Sequence, residues 1–146
     1  MHIPKEFKEF IESLNEANVE YLVIGAHALA LHGVPRYTGD LDILVRRSTE
    51  NAARIVDAIR VFGLESLGFN EADFMEPDQF IQIGVAPLRL DICTDISGVT
   101  FEEAWANRVA GEIGGVPVAF IGKDEFIKNK RAVGRPKDLG DIDQIL

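Results

Sequence analysis

"RYTGDLDILV", residues Arg36 to Val45, sets two aspartates one position apart at the head of an apolar run. In an extended strand, residues two apart point to the same side. Asp40 and Asp42 therefore share one face, while Leu41 and Ile43 share the other and enter the core. If extended backbone begins slightly earlier, Arg36 and Thr38 join the aspartate face. Two neighbouring carboxylates raise each other's pKa and lose stability unless a cation lies between them. Mg²⁺ takes oxygen ligands, commonly one or two carboxylates with phosphate oxygens and water. A D-x-D pair at a strand edge thus suits a divalent cation. It also suits plain turn chemistry or a solvated rim.

The flanking sequence supplies the frame for that strand. Upstream, Ile3, Phe7, Phe10, Ile11 and Leu14 fall at helical spacing, so an amphipathic helix is expected there. "YLVIG" (Tyr21 to Gly25) is a short apolar run ended by glycine, which predicts a buried strand. "AHALALH" follows as a short helix, stopped by Gly33 and Pro35. Downstream, Ser48 and Thr49 offer N-caps for a helix with Ala52, Ile55, Val56, Ile59 and Phe62 on one face.

"GFNEADFMEPD" reads as a loop, and "QFIQIGV" and "LRLDICT" flank "AP" as a hairpin. Thr100 can cap "FEEAWANR", and "VAGEIGGVPVAFIG" resembles a second hairpin turned by glycine. A helix is predicted from about Asp124 to Ala132. After the break "VGRPK", Pro136 opens a last helix carrying Leu139, Ile142 and Ile145. Strands and helices mix without strict βαβ alternation, which predicts an α+β fold (mixed α/β). With 146 residues and no obvious linker, one domain over residues 1–146 is expected.

Two further features accompany the aspartate pair. In "LRLDICT", Leu90 and Ile92 are apolar, so Asp91 points the opposite way, together with Arg89 and Cys93. An acid inside such a run needs a cation or hydrogen bonds, whether as a ligand or as a salt-bridged edge residue. In "IGAHAL", a glycine and a small residue join strand to helix. This junction lets backbone N–H groups approach a phosphate, and it also occurs as ordinary turn chemistry.

Taken in order, strand-GA-helix, R-x-T-x-D-L-D and a later strand with a single Asp make a more specific set than any one part. Here the sequence resembles the nucleotidyltransferase superfamily with the DNA-polymerase-β-like fold. It looks most like the small bacterial members related to abortive-infection toxins and lincosamide nucleotidyltransferases. The resemblance runs from "YLVIGAHALALHG" through "RYTGDLDILV" and "LRLDI" to "IKNKRAVGRPKDLGDI".

It implies a nucleotidyltransferase-like mixed β-sheet flanked by helices, with Gly25 and Ala26 at the nucleotide phosphates. Asp40 and Asp42 would hold Mg²⁺, or Mn²⁺ in its place, and Asp91 would act on the acceptor beside the metal. Ala26 stands where such chains carry Ser or Gly. It keeps the backbone N–H and lacks a hydroxyl. The implied reaction is in-line displacement at the α-phosphate of a nucleoside triphosphate such as ATP, with pyrophosphate leaving.

The implied acceptor is a hydroxyl of tRNA, a protein or a small molecule, and a toxin–antitoxin role with a partner antitoxin belongs to the same resemblance. In the C-terminal segment, Lys130 and Arg135 match positions that toxin-like members keep near the nucleotide. Arg36 is another candidate phosphate ligand, with Thr38 beside it.

Composition narrows the field. The formal net charge is −9, which argues against a protein that mainly coats nucleic acid. Yet Lys123, Lys128, Lys130, Arg131, Arg135 and Lys137 face only Asp124 and Glu125 in their stretch. An acidic body with one basic segment suits a small anionic ligand, or simply pairs that segment with Asp138 and Asp141. Cys93 is the single cysteine, which leaves no internal disulfide framework, and it reads as a small buried apolar residue.

His27 and His32 lack partners at zinc-ligand spacing, and His32 reads as a helix-end residue. Trp105 and the phenylalanines read as core. No run approaches a membrane span, and a cytoplasmic location is expected. Two other functions stay open: a catalytically weak nucleotide-binding regulatory module, and a D-x-D glycosyltransferase. A homodimer could complete the acceptor cleft of so short a chain.

Overall fold

A computed structural model describes residues 3–35, 38–85 and 88–146 of the chain. Helix α1 (Lys5–Glu16) is followed by strand β1 (Tyr21–Ile24), helix α2 (Gly25–Leu31) and strand β2 (Asp40–Val45). Helix α3 (Thr49–Phe62) leads to the hairpin β3 (Phe80–Val85) and β4 (Leu88–Cys93). After α4 (Phe101–Ala106) come the hairpin β5 (Val109–Ile113) and β6 (Val116–Phe120), then α5 (Lys123–Val133) and α6 (Pro136–Ile145). The class is mixed α+β, as the sequence pattern predicts.

Among the described residues, six strands join one mixed sheet in the order β3-β4-β2-β1-β6-β5. β2 lies antiparallel to β1 and parallel to β4, so it is covered by ladder bonds on both edges. That central position explains the apolar half of its sequence: Leu41, Ile43, Leu44 and Val45 are all buried. Full burial of each such side chain is worth about 2 kcal/mol. The registers decide the site. Asp40 pairs with Arg89, and Asp42 pairs with Asp91 on one side and Ile24 on the other.

The helices cover the sheet with the apolar faces their spacing predicts. Phe7, Phe10, Ile11 and Leu14 of α1 are buried, and Phe10 meets Phe62 of α3 edge-on at 5.3 Å between ring centres. Ser48 caps α3 by accepting a hydrogen bond from the Asn51 N–H. Buried Asn51 also accepts from the Glu20 N–H (2.7 Å) and donates to the carbonyls of Glu20 and Arg46. It thereby pins the start of β1 to the end of β2. No helix among the described residues is long and apolar enough to cross a membrane.

Several sequence expectations need correction. Leu139 is 47% exposed, and the inner face of α6 carries Asp138 and Asp141 beside Ile142 and Ile145. Phe80 is exposed on the edge strand β3, unlike the core phenylalanines. The stretch read as a loop contains a 3-10 turn, Glu71–Phe74, capped reciprocally by Asn70 and Asp73 and anchored by buried Phe74. Cys93 is only partly buried, though burial still pushes its thiol pKa up to about 12. The "AP" turn of the β3–β4 hairpin, like Arg36, lies outside the described residues.

Candidate functional site

The register of β2 and β4 sets Asp42 opposite Asp91. Asp91 is 3% exposed, and its Oδ1 has no hydrogen-bond partner among the described residues. Asp42 has its pKa pushed up to about 7, chiefly by burial, then by the Asp91 carboxyl beside it and the charge of Asp40. Lys130 pulls the other way and does not compensate. Among the described residues, this is the environment of two acids without a cation paired directly to them.

Asp40 stands differently. Arg89 donates from Nε to Oδ1 (3.0 Å) and from Nη2 to Oδ2 (2.7 Å), and this pairing holds the Asp40 pKa below its usual value. The Asp40 N–H donates to Thr38 Oγ1 at 3.0 Å. The sequence places Arg89 on the Asp91 face but gives it no role, because register across strands is invisible to it.

Gly25 begins α2 with φ +70°, and a Cβ there would fall 2.2 Å from Asp42 Oδ2. The glycine is therefore required both by its left-handed backbone and by the room Asp42 takes. Gly25 and Ala26 border a cleft of about 200 Å³, together with Thr38, Asp40, Asp42, Lys130 and Arg135. Every described site residue predicted from sequence lines this cleft except Asp91, which lies buried as the register partner of Asp42. Lys137, Asp141, Phe126 and Leu29 complete the wall.

The basic side of the cleft is built on α5 and α6. Asp138, fully buried, accepts from the Arg135 backbone N–H (3.2 Å), Arg135 Nε (2.7 Å) and Nη2 (3.2 Å), and Lys130 Nζ (3.3 Å). Arg135, and then Lys130, hold its pKa down to about 2. Asp141 stands 3.8 Å from Lys130 Nζ, which also lies over the Phe126 ring. Asp138 and Asp141 thus serve Lys130 and Arg135. The sequence offered them as partners of the basic segment as a whole. Lys137 was legible only as one more charge in a basic run.

His32 bonds the Ile121 carbonyl at 2.9 Å from the end of α2, as a helix-end residue would. His27 is buried against Phe7, and burial lowers its pKa against a backbone hydrogen bond at Asp40. Two larger clefts lie elsewhere. One, about 780 Å³, has its cations Arg46, Arg47 and Lys128 paired to Glu20 and Glu102, Asp95 and Glu103. The other, about 690 Å³, is mainly apolar around Trp105. Neither contains the strand acids.

A divalent metal fits the residues at the head of β2 and β4. The donor set is all oxygen, Asp42 and Asp91 are register partners, and Asp91 Oδ1 is buried without a partner among the described residues. Among the described residues no three His, Cys, Asp or Glu side chains already stand as a metal cage, and Asp40 is turned to Arg89.

No protein-family model matches the chain, and no curated protein matches it. Among solved structures, it is similar to a Thermotoga maritima protein described as a "putative nucleotidyltransferase". The TM-score is 0.61 at 17% identity, over 94% of this chain and 88% of that one. At that identity the likeness establishes a shared fold, a nucleotidyltransferase-like mixed sheet flanked by helices.

Proposed function

We propose that this chain is a divalent-metal-dependent nucleotidyltransferase that moves a nucleoside monophosphate from a nucleoside triphosphate onto a hydroxyl acceptor. The observation that carries the reading is the Asp42–Asp91 carboxyl pair with its unpartnered buried oxygen, set beside a cleft walled by Lys130, Arg135 and Lys137. Acids on one wall and cations on the other suit a ligand that is a polyphosphate carrying a metal ion. The shared fold with a protein so described agrees with it.

In this reading Asp42, Asp91 and Asp40 hold the metal, which supplies charge neutralisation at the phosphates. Lys130 offers a point charge and Arg135 a planar fork to the phosphate oxygens. Gly25 and Ala26 bring backbone close to them without an obstructing side chain. The cleft, at about 200 Å³, is below the ~300 Å³ at which small-molecule pockets begin. It suits the phosphates, with the nucleoside resting on the surface outside. The acceptor oxygen bonds to the α-phosphorus as the bond to pyrophosphate breaks, and the hydroxyl proton passes to Asp91.

The test supplies Mg²⁺ or Mn²⁺, each α-labelled nucleoside triphosphate, and separate pools of tRNA, protein and small hydroxyl compounds. Label should move to one pool, and Asp42→Asn should reduce transfer on the order of 10³-fold, as expected for lost transition-state charge stabilisation. Metal-dependent nucleotide binding without transfer to any pool would replace this reading with a regulatory nucleotide-binding module. Selective use of a nucleotide sugar would replace it with a glycosyltransferase. The receiving pool would also decide whether a toxin role acting on tRNA or protein is worth pursuing.

A further inference from the structure

We propose that Arg89 is a resident cation at the metal seat: its guanidinium occupies Asp40 until a divalent ion displaces it, so Arg89 sets the chain's affinity for that ion. The inference rests on the metal-dependent reading above and adds a determinant that neither the D-x-D pattern nor the fold supplies.

The geometry is specific. Asp40 and Arg89 are register partners on adjacent parallel strands, so the pairing is built into the sheet and does not depend on a chance surface encounter. Both carboxylate oxygens of Asp40 are engaged, Oδ1 by Nε and Oδ2 by Nη2. A bidentate fork of this kind is directional and uses the in-plane lone pairs that a metal ion would take. Two positions along the same strand pair, Asp42 and Asp91 have no such cation. Among the described residues, the protein's own cation is therefore bound directly at Asp40 and not at the Asp42–Asp91 pair.

Displacement is feasible because the pair is not deeply buried. The side chains of Arg89 and Asp40 are 34% and 32% exposed, so the freed guanidinium can turn to water. An ion pair at such exposure is weak and yields to a stronger competitor. A divalent cation bound by Asp42 and Asp91 is such a competitor, since it attracts Asp40 with twice the charge and repels Arg89. Arg89 therefore tempers an acid cluster that would otherwise hold cations more tightly.

The experiment measures Mn²⁺ affinity by electron paramagnetic resonance on the full chain, with thermal unfolding to confirm that each variant folds. Arg89→Gln should tighten Mn²⁺ binding about tenfold, chiefly from loss of the pair that competes for Asp40. Arg89→Lys should fall between the two, because lysine keeps the charge and loses the fork. In an Asp40→Asn background the gain from Arg89→Gln should shrink to a small part of its size.

Equal or weaker Mn²⁺ binding by a folded Arg89→Gln chain would overturn the proposal and leave the metal reading standing. An undiminished gain in the Asp40→Asn background would also overturn it, by showing a charge acting through space and not at Asp40. Absence of Mn²⁺ binding in both the unmodified chain and Arg89→Gln would overturn the proposal and the metal reading together.

Discussion

Two clusters of charge face each other across the cleft, and they are built on opposite principles. On α5 and α6, acids meet bases: Asp138 is completely buried yet receives hydrogen bonds from Arg135 and Lys130. At the head of β2 and β4, acid meets acid: Asp42 faces Asp91, and a buried carboxylate oxygen has no partner among the described residues. The first cluster is electrostatically complete within the fold, so it holds Lys130 and Arg135 in place before anything binds. The second carries acids that no cation among the described residues pairs with, which is the demand the proposed metal would meet. A binding site needs both, a wall already assembled and a wall with an unmet demand.

The contrast implies that removing an acid has opposite signs in the two places. Asp138→Ala should destabilise the chain by about 3 kcal/mol, because it leaves partly buried Lys130 with Asp141 alone and Arg135 without its fork partner. Its contribution should be present above the ordinary carboxylate range and be lost as pH falls toward about 2, the value at which Asp138 titrates in the folded chain. Urea unfolding across acidic pH measures both, and a cost under ~1 kcal/mol would mean that the α5–α6 cluster behaves as a surface pair.

Asp42→Asn should instead stabilise the metal-free chain, by about 2 kcal/mol at pH 8. Asp42 titrates at about 7 in the folded chain and near 4 when unfolded. Between those values the folded state keeps a proton that the unfolded state has lost, so stability falls as pH rises through the window. The advantage of Asp42→Asn should therefore vanish as pH is lowered from about 7 to about 4. Added Mg²⁺ should narrow it at pH 8. Unfolding titrations that show destabilisation by Asn at pH 8 without metal would remove the contrast.

The smallest effect sharpens the boundary of the basic cluster. Leu139→Gln should change stability by less than ~0.5 kcal/mol, since Leu139 faces solvent between buried Asp138 and Gly140. A loss of several times that size would show that its apolar side chain is covered in the assembled protein.

The elements of the fold were legible because their signals are local. Ser48, Thr100 and Pro136 mark helix starts where their chemistry demands, and the run after Asp42 reads as a buried strand. Leu139 shows where local periodicity fails: three apolar residues define a helical stripe, yet α6 turns its acids inward because Lys130 and Arg135 wait there. Phe80 fails for a related reason, being apolar on an edge strand that nothing described here covers.

Within the site, the alternation of "GDLDI" and "LRLDI" by itself determined that Asp40, Asp42 and Asp91 leave the core side of their strands. The glycine after "YLVI" by itself marked a place where backbone and another group come close. Only the tertiary structure decided which group that was, the Asp42 carboxylate, and that Arg89 claims Asp40 while Asp91 claims Asp42. The physical reason is that a strand's side-chain direction follows from its own pleat. Its partners depend on register with strands distant in the chain, which no local pattern encodes.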